Sequence, residues 1–277
     1  MSLKLDCAGR VLGLQHPCVM GILNITPDSF SDGGDFFGYE CALQHAREMV
    51  ANGADMIDVG GESTRPGASV VSEQQELDRV LPLIEALATE VDVPISIDTS
   101  KAGVMREAVS AGAGFINDVN ALRSEGALAA AATLSVPICL MHRQGVPSTM
   151  QQSPSYDNVL LEVEVFLRER VAACEAAGIP PQRLVLDPGF GFGKTLKHNL
   201  TLFNGLPRFV DMGFPVMIGV SRKRMIGDLL NTPVDKRCQG GLTLATLAAW
   251  WGVSIIRTHD VKETIDTLKI CRALKDM

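Results

Sequence analysis

Several apolar runs in this chain end at a polar residue that the interior of a sheet would not tolerate without a partner. Asp98 and Asp187 each end such a run, and Lys223 ends another. The carboxyl ends of parallel strands lie at one edge of a sheet, where α/β enzymes keep their catalytic groups. These side chains therefore indicate one shared polar pocket. The other polar residues at predicted strand ends are Asn24, Asp58, Asn117, Asp118, Arg257, His259 and Asp260.

The acidic half of this set suits a flat heterocycle. An ionised carboxylate such as Asp98 or Asp187 accepts two parallel hydrogen bonds, and the amide of Asn117 both donates and accepts. Together they would recognise a ring with a guanidine-like edge. A Mg²⁺ site built from carboxylates is the competing interpretation. A glycosidase would also use two carboxylates, but it would surround them with exposed aromatic residues, and the chain has only 2 Trp and 2 Tyr.

The basic half predicts a site for a phosphate or a diphosphate. Arg257 and His259 alternate along a strand and so share one face. With Arg65 from a loop they would form a cationic nest, which suits a phosphate group. Lys223 could form a Schiff base, donate to a carbonyl or balance a carboxylate. A helix that starts after Ser221 could also bind an anion, although three consecutive basic residues are more often a solvated turn.

The run LVLDPGFGFGKT at 184–195 is similar to a nucleotide-binding loop but fails the test for one. A P-loop needs glycine where Pro188 stands, and the three glycines alternate without the gap that dinucleotide-binding loops require. The run is better interpreted as a tight turn after a strand, which presents Asp187 and lets Phe192 approach a flat ligand. A turn without any ligand is the alternative.

The elements that must position these residues alternate between strand and amphipathic helix. Strands joined by helices of this length imply parallel pairing, and roughly eight such units favour a (β/α)8 TIM barrel of the α/β class. A doubly wound sheet is the alternative. No linker divides the chain, so one domain over 1–277 is predicted, with a short hairpin at about 3–15 that caps the barrel bottom. The predicted strands are 18–25, 55–60, 93–98, 114–119, 136–142, 184–187, 215–220 and 254–258, and the predicted helices are 39–52, 73–90, 101–111, 125–134, 158–177, 199–211, 239–251 and 261–275.

Two loops, 26–38 and 62–72, follow the first two predicted barrel strands. Both are rich in Gly, Ser, Asp and Pro, which favours mobile, solvated backbone. They leave the same strand ends as the polar residues and contain Phe30, Phe37 and Arg65. We therefore expect them to be lids over the pocket rather than plain surface connections.

Composition excludes several classes of protein. The 277 residues carry a formal net charge of -7, which makes a nucleic-acid or acidic-membrane binder improbable. No apolar segment is long enough to span a bilayer, and the first residues do not have the pattern of a signal peptide. The 7 cysteines are scattered and odd in number, which disfavours a disulfide framework or a structural zinc site. A cytoplasmic protein is the expectation.

Taken together, these motifs resemble dihydropteroate synthase over nearly the whole chain. The family is a (β/α)8 barrel, usually a homodimer. The resemblance implies an alkyl-group transferase of folate biosynthesis, which condenses 6-hydroxymethyl-7,8-dihydropterin diphosphate with p-aminobenzoate, gives 7,8-dihydropteroate and releases pyrophosphate with the help of Mg²⁺. The matching segments are GILNITPDSFSDGG (21–34), MIDVGGESTRPG (56–67), PISIDTSKAGV (94–104), INDV (116–119), LMHRQGVPSTMQ (140–151), LDPGFGFGKT (186–195), IGVSRKRMIGDLL (218–230) and IIRTHDVKET (255–264).

The resemblance also implies a role for each site residue, with Asp98, Lys223 and Arg257 as the catalytic ones. Asn24 would be the Mg²⁺ ligand, and Asp58 would order the diphosphate-binding region by pairing with a neighbour. The pterin would be held by Asp98, Asn117, Met141, Asp187, Phe192, Gly219, Lys223 and Arg257. The diphosphate would be bound by Asn24, Thr64, Arg65, Arg257 and His259, and the p-aminobenzoate by Phe30, Thr64, Pro66, Phe192, Ser221 and Lys223.

The chain departs from the family pattern at Arg143, Arg224 and Thr258, where Met, a small residue and Val are usual. None of the three is an implied ligand, so substrate affinity is the property that they put in doubt. Two alternative functions remain. A pterin-binding methyltransferase would share the pterin carboxylates without needing the diphosphate cations, and a non-catalytic pterin-binding paralogue should lack some of the site residues. A Schiff-base aldolase that uses Lys223 is a weaker third.

Overall fold

The computed structural model describes residues 4–25, 34–63, 71–146 and 149–277, and the side chains of all of these except 34–37. Its main sheet has eight parallel strands, each inside its predicted range: β3 Cys18–Asn24, β4 Met56–Gly60, β5 Ile95–Asp98, β6 Phe115–Asp118, β7 Ile138–Met141, β8 Leu184–Asp187, β9 Met217–Gly219 and β10 Ile255–Thr258.

The sheet is a nearly closed barrel. Its strand order is β8-β7-β6-β5-β4-β3-β10-β9, so strands that are neighbours in the sheet are also neighbours in sequence, except that β3, the first barrel strand, pairs with β10, the last. The last gap, between β8 and β9, is closed by a parallel bridge from Leu186 to Val216 and by a 2.9 Å hydrogen bond from the Leu186 amide to the Pro215 carbonyl. A doubly wound sheet would leave two open edges, so the predicted TIM barrel is confirmed.

The helices pack outside the barrel, between the strands that they connect. They are α1 Gly34–Ala51, α2 Glu73–Glu90, α3 Ala102–Ser110, α4 Ala127–Thr133, α5 Val159–Ala176, α6 Leu196–Asn204, α7 Leu206–Val210, α8 Arg224–Leu230, α9 Cys238–Trp250 and α10 Val261–Lys275, with short 3-10 turns at Pro181–Arg183 and Val234–Lys236. Within the described parts of the chain, none of these helices is long and apolar enough to cross a membrane.

Two details of the predicted elements are wrong. The loop predicted at 26–38 ends earlier, because α1 begins at Gly34. The first turn of this helix was not predicted, since glycine has a low helix propensity. The single helix predicted over 199–211 is two helices, α6 and α7, which meet at Gly205. A β-carbon at that glycine would lie 2.2 Å from Leu160 Cδ2, so close packing against α5 explains both the glycine and the break.

The predicted N-terminal hairpin is confirmed. Strands β1 Lys4–Cys7 and β2 Arg10–Gly13 pair antiparallel. Their buried residues Leu5 and Leu12 form one apolar cluster with the first inward-facing residues of the barrel strands, such as Met56 and Phe115. The hairpin therefore closes the end of the barrel at which the strands begin.

Along several barrel strands, the next inward-facing residue after this apolar cluster is polar. Successive residues of a strand alternate between its two faces, so the residue two positions later points into the barrel as well. Met56 is followed in this way by Asp58, Phe115 by Asn117, and Ile255 by Arg257. The barrel interior is therefore apolar at the bottom and ionic at the top, and this change places the polar residues at one mouth.

Candidate active site

Arg257 lies at the centre of the polar mouth and joins two strands across from its own. Its Nε donates to Asp58 Oδ2 at 2.6 Å, and its Nη2 donates to Asp98 Oδ2 at 2.8 Å. The Asn117 amide also donates to Asp58 Oδ2, at 3.0 Å. Asp58 and Asp98 are 0% and 8% exposed, so this is an ion-pair network with little access to solvent.

Asp58 therefore holds Arg257 and Asn117, two of the predicted pterin ligands, in fixed positions. This is the supporting role that the resemblance implied for it. No described residue accepts a hydrogen bond from Nη1 of Arg257, so that nitrogen remains for a ligand at the mouth.

Burial dominates the protonation of Asp98. It raises the pKa of Asp98 to about 8, against the opposing effect of Arg257, and the nearby Asp58 adds to the rise. The same carboxylates keep the pKa of Arg257 above its usual value although burial acts in the opposite direction. Asp98 is thus a carboxylate that gains or loses its proton close to neutral pH, as groups at catalytic sites often do.

Asp187 and Lys223 form the opposite wall of the mouth. Asp187 Oδ1 accepts from the Gly189 amide at 2.7 Å, and burial raises the pKa of this carboxyl while Lys223 lowers it. The Lys223 ammonium donates to the Phe190 carbonyl and lies 4.5 Å from the centre of the Phe192 ring. Burial lowers the pKa of Lys223 to about 8, and Asp187 opposes that shift.

The turn after β8 requires glycine at position 189. Gly189 has φ +72, and a β-carbon there would lie 1.9 Å from the His142 carbonyl oxygen. A buried lysine, Lys194, supports the turn from below: its Nζ lies 2.9 Å from His142 Nδ1 and donates to the Gly189 carbonyl at 2.7 Å. The turn thus presents Asp187 and Phe192 as predicted.

Sequence reasoning missed Lys194. Burial lowers the pKa of Lys194 well below its usual value, Asp187 opposes the shift and Lys223 adds to it. The available signal was the GKT sequence itself. Once a P-loop is excluded, a lysine inside a strand-end turn has backbone carbonyls as its remaining partners.

Met141 and Gly219 complete the floor of the mouth. Met141 is buried and pairs in register with Asp187. Gly219 pairs in register with Arg257, and a β-carbon there would approach the Arg257 side chain at 3.8 Å. The absence of a side chain at this position leaves one face of the arginine open, so a flat ring could stack on it.

The basic nest predicted from the sequence includes Arg65, which lies outside the described residues, and the structure describes the positions of Arg257 and His259. Arg257 turns towards the carboxylates, whereas His259 contacts Ser221, with Nδ1 3.0 Å from Oγ. The His259 amide also donates to Ser221 Oγ at 3.2 Å. Asp260 pairs with the exposed Arg222 at 2.5 Å. Arg257 and His259 therefore contact different partners at the end of β10, carboxylates in the first case and Ser221 in the second.

Asn24 ends β3 beside the acidic wall. A β-carbon added at Gly60 would lie 3.5 Å from both Asn24 Oδ1 and Asp98 Cβ. The Asn24 and Asp98 side chains therefore both lie next to Gly60. Asn24 is half-buried, and no hydrogen bond joins its side-chain amide to another described residue. The predicted metal ligand thus lies at the mouth with an oxygen to offer.

Four predicted site residues lie outside the described parts of the chain: Phe30, Thr64, Arg65 and Pro66. The three departures from the family pattern lie away from the ion-pair network. Arg143 donates to Asn120 Oδ1 at 2.9 Å. Arg224 is highly exposed and lies 3.5 Å from Asp228 within α8. Thr258 Oγ1 accepts from the Asp260 amide at 3.1 Å, facing α10.

Comparison with known proteins agrees with this geometry. The pterin binding enzyme family matches residues 20–259. Dihydropteroate synthase of Escherichia coli is 52% identical over 271 residues, 98% of this chain and 96% of that protein. Crystal structures of the Xanthomonas albilineans dihydropteroate synthase superpose with TM-scores of 0.95 (with 4-aminobenzoic acid, 49% identity) and 0.89 (with 7,8-dihydropteroate, 44% identity), each over 100% of both chains. The chain therefore belongs to the pterin binding enzymes and, among these, to the dihydropteroate synthases.

Proposed function

We propose that the polar mouth of the barrel binds a dihydropterin diphosphate and p-aminobenzoate and joins them as 7,8-dihydropteroate. The observation that carries this proposal is the Arg257 network, in which one half-buried arginine holds Asp58 and Asp98 within reach of Asn117. A reduced pterin has a flat ring with a guanidine-like edge, and this edge complements paired carboxylate and amide groups. The Xanthomonas albilineans relative has been crystallised with both p-aminobenzoate and dihydropteroate, which supports the same pair of ligands here.

Pterin recognition follows from the two walls of the mouth. Asp187, fixed by the Gly189 amide, accepts hydrogen bonds from the amino-pyrimidine edge, and Asn117 reads the adjacent ring atoms. Lys223 is held by the Phe190 carbonyl and donates to the ring oxygen. The ring stacks on the open face of Arg257 beside Gly219.

The chemistry requires stabilisation of charge rather than a strong base. The bond that breaks joins the methylene carbon to the diphosphate oxygen, and the departing diphosphate keeps the electron pair. The resulting cation is delocalised into the pterin ring, where an ionised Asp98 stabilises it electrostatically. The aniline nitrogen is uncharged at neutral pH, so it attacks the methylene carbon directly and then releases one proton to solvent. The reaction therefore needs no nucleophilic side chain activated by a base, and the Ser221 contact with His259 has no nucleophilic role in it.

The donor set fits a metal that arrives with the diphosphate. Among the described residues no group of three or more His, Cys, Asp or Glu side chains could hold a metal ion. Mg²⁺ is commonly held by one or two protein oxygens together with substrate phosphates and waters. Asn24 would supply the protein oxygen, and bound Mg²⁺ would neutralise charge on the leaving diphosphate.

Replacement of Asn24 by alanine is expected to weaken the metal requirement of the site selectively. The Mg²⁺ concentration that gives half-maximal activity should rise roughly tenfold, since loss of one oxygen ligand weakens the metal complex. Affinity for 6-hydroxymethyl-dihydropterin without its diphosphate, measured by calorimetry, should remain as in the wild type. An unchanged Mg²⁺ dependence would remove Asn24 from the metal site.

The direct test of the proposed function is pyrophosphate release. The protein is mixed with the dihydropterin diphosphate and Mg²⁺, with and without p-aminobenzoate, and dihydropteroate is identified in the product by mass spectrometry. Release that depends on p-aminobenzoate supports the synthase, and pterin binding without any release identifies a non-catalytic paralogue. Methyl transfer from a reduced folate to a corrinoid would identify the methyltransferase instead.

Replacement of Lys223 by arginine tests the assignment of charges at the mouth through pH. Below about pH 8 Asp98 gains its proton, and above about pH 8 Lys223 loses its own, so kcat/KM should follow a narrow bell centred near pH 8. Arginine stays protonated far above this range. In Lys223→Arg the alkaline limb should therefore disappear while the acid limb stays, whatever the absolute rate. An alkaline limb unchanged in the variant would contradict the assignment.

Exposed apolar residues on three neighbouring helices support a homodimer. Leu229 and Leu230 on α8, Trp250 on α9, and Ile270 and Leu274 on α10 are all about half exposed or more. A second copy of the chain would bury this surface; sedimentation velocity measures the assembly directly.

All seven cysteines are free thiols, which supports a location in the reducing cytoplasm.

A further inference from the structure

A second ionic cluster lies beside the mouth and consists of Lys101, Glu62 and Glu76. Lys101 Nζ donates to Glu62 Oε2 at 2.5 Å and also to Glu76 Oε2. Lys101 immediately precedes α3 and follows Asp98 by three residues. It therefore lies just beyond the end of the strand that carries the catalytic carboxylate. None of the three residues is among the predicted site residues.

The cluster joins the two ends of one loop. Glu62 follows β4, and its second oxygen, Oε1, accepts from the Val71 amide at 3.1 Å, just before α2 begins. Arg79 of α2 donates to the Gly61 carbonyl at 2.8 Å. A single carboxylate therefore holds both the chain that leaves β4 and the chain that enters α2, and Lys101 holds that carboxylate.

The burial of Glu76 makes the lysine essential to this arrangement. Glu76 is fully buried, and its Oε1 has no hydrogen-bond partner among the described residues. The Glu76 charge is compensated by Lys101, and the hydrogen bonds of both glutamates raise the pKa of Lys101 although burial opposes this. A buried carboxylate with one cationic partner depends on that partner for its position.

We propose that Lys101 is a positioning residue for the reaction, which fixes the start and end of the segment between Glu62 and Val71 against the strand that carries Asp98. The proposal rests on the proposed function, because the sequence places Thr64 and Arg65, the predicted diphosphate contacts, within three residues of Glu62. An error of about 1 Å in the placement of a contact residue can cost up to roughly 100-fold in rate. Lys101 would act through Glu62, without touching either substrate.

The test compares Lys101→Met with Lys269→Met, in which the lost lysine belongs to an exposed pair with Asp266. Hydrogen exchange followed by mass spectrometry reports on the peptide that spans 61–72. Calorimetry gives the affinity for dihydropterin diphosphate and for the same pterin without diphosphate. We expect faster exchange at 61–72, an affinity for the diphosphate lower by roughly tenfold or more, a raised KM for p-aminobenzoate, and pterin affinity within about twofold of wild type.

Lys101→Arg should restore most of the diphosphate affinity, because a guanidinium can pair with both carboxylates. If Lys101→Met does not fold, Glu62→Gln serves in its place, because it keeps the Lys101 pair with Glu76 and loosens the loop end alone. Wild-type exchange at 61–72, or equal losses of affinity for the pterin with and without diphosphate, would overturn the proposal. Failure of the proposed function has a different signature, since the wild-type protein would then release no pyrophosphate while the exchange difference at 61–72 persisted.

Discussion

Replacement of Arg257 by methionine is expected to lower turnover by at least about 100-fold and the free energy of unfolding by about 3–5 kcal/mol. The guanidinium is the cation between Asp58 and Asp98, both of which are buried. Methionine fills a similar volume without charge, so the variant leaves two carboxylates close together with no cation from the described residues in contact with either. Pyrophosphate release measures the first effect, and urea denaturation measures the second.

The two effects of this substitution can be separated with a second change. Adding Asp58→Asn to Arg257→Met removes one of the orphaned carboxylates, so the double variant should regain part of the lost stability. It should regain no turnover, because the guanidinium that stacks on the ring and donates to the ligand is still missing. A matched control is Arg272→Met, in which the lost arginine belongs to an exposed pair with Asp276. Near-normal turnover in Arg257→Met would exclude the arginine from the site.

The location of the site could be predicted from the alternation of residues along the strands. Several strand-end polar residues stand two positions after an apolar residue that fills the barrel, as Asp58 follows Met56 and Asn117 follows Phe115. A period of two dictates that both point inward. Because parallel strands all end at the same rim, the inward polar residues had to meet there, and no knowledge of the contacts was needed.

The partners within the site could not be predicted in this way. The alternation along the strand placed Arg257 on the same face as His259, but it did not indicate that the guanidinium pairs with Asp58, which lies 199 positions away in sequence. The pairing is decided by the barrel, which brings β10 and β4 to opposite sides of β3. Lys101 and Lys194 were missed for a related reason, since their partners are a carboxylate on another helix and backbone carbonyls of a turn.

Replacement of Asp98 by asparagine is expected to separate activity from stability. Asparagine keeps the size of the side chain and can still accept one hydrogen bond from Arg257, but it removes the charge that stabilises the pterin cation. Loss of one electrostatic group of this kind costs about 10²–10³ in kcat. Single-turnover measurement of pyrophosphate release isolates the chemical step, and pterin affinity, measured separately by calorimetry, should fall much less.

The activity needs an ionised Asp98, but the stability of the wild-type protein should fall as Asp98 ionises. The reason is that the folded protein disfavours the charged form of Asp98. Its folded pKa of about 8 lies above the usual value, so the folded state holds this proton more tightly than the unfolded state. The stability that the group contributes is full at low pH and is lost as the pH rises towards about 8. Asparagine does not titrate, so urea midpoints of Asp98→Asn should fall less than those of the wild type between about pH 6 and about pH 8.5. A parallel decline in both proteins would show that Asp98 is already ionised at the lower pH, held so by Arg257, and would contradict the raised pKa. The site thus retains a carboxylate that lowers stability at neutral pH, which is the arrangement expected where charge serves the transition state rather than the fold.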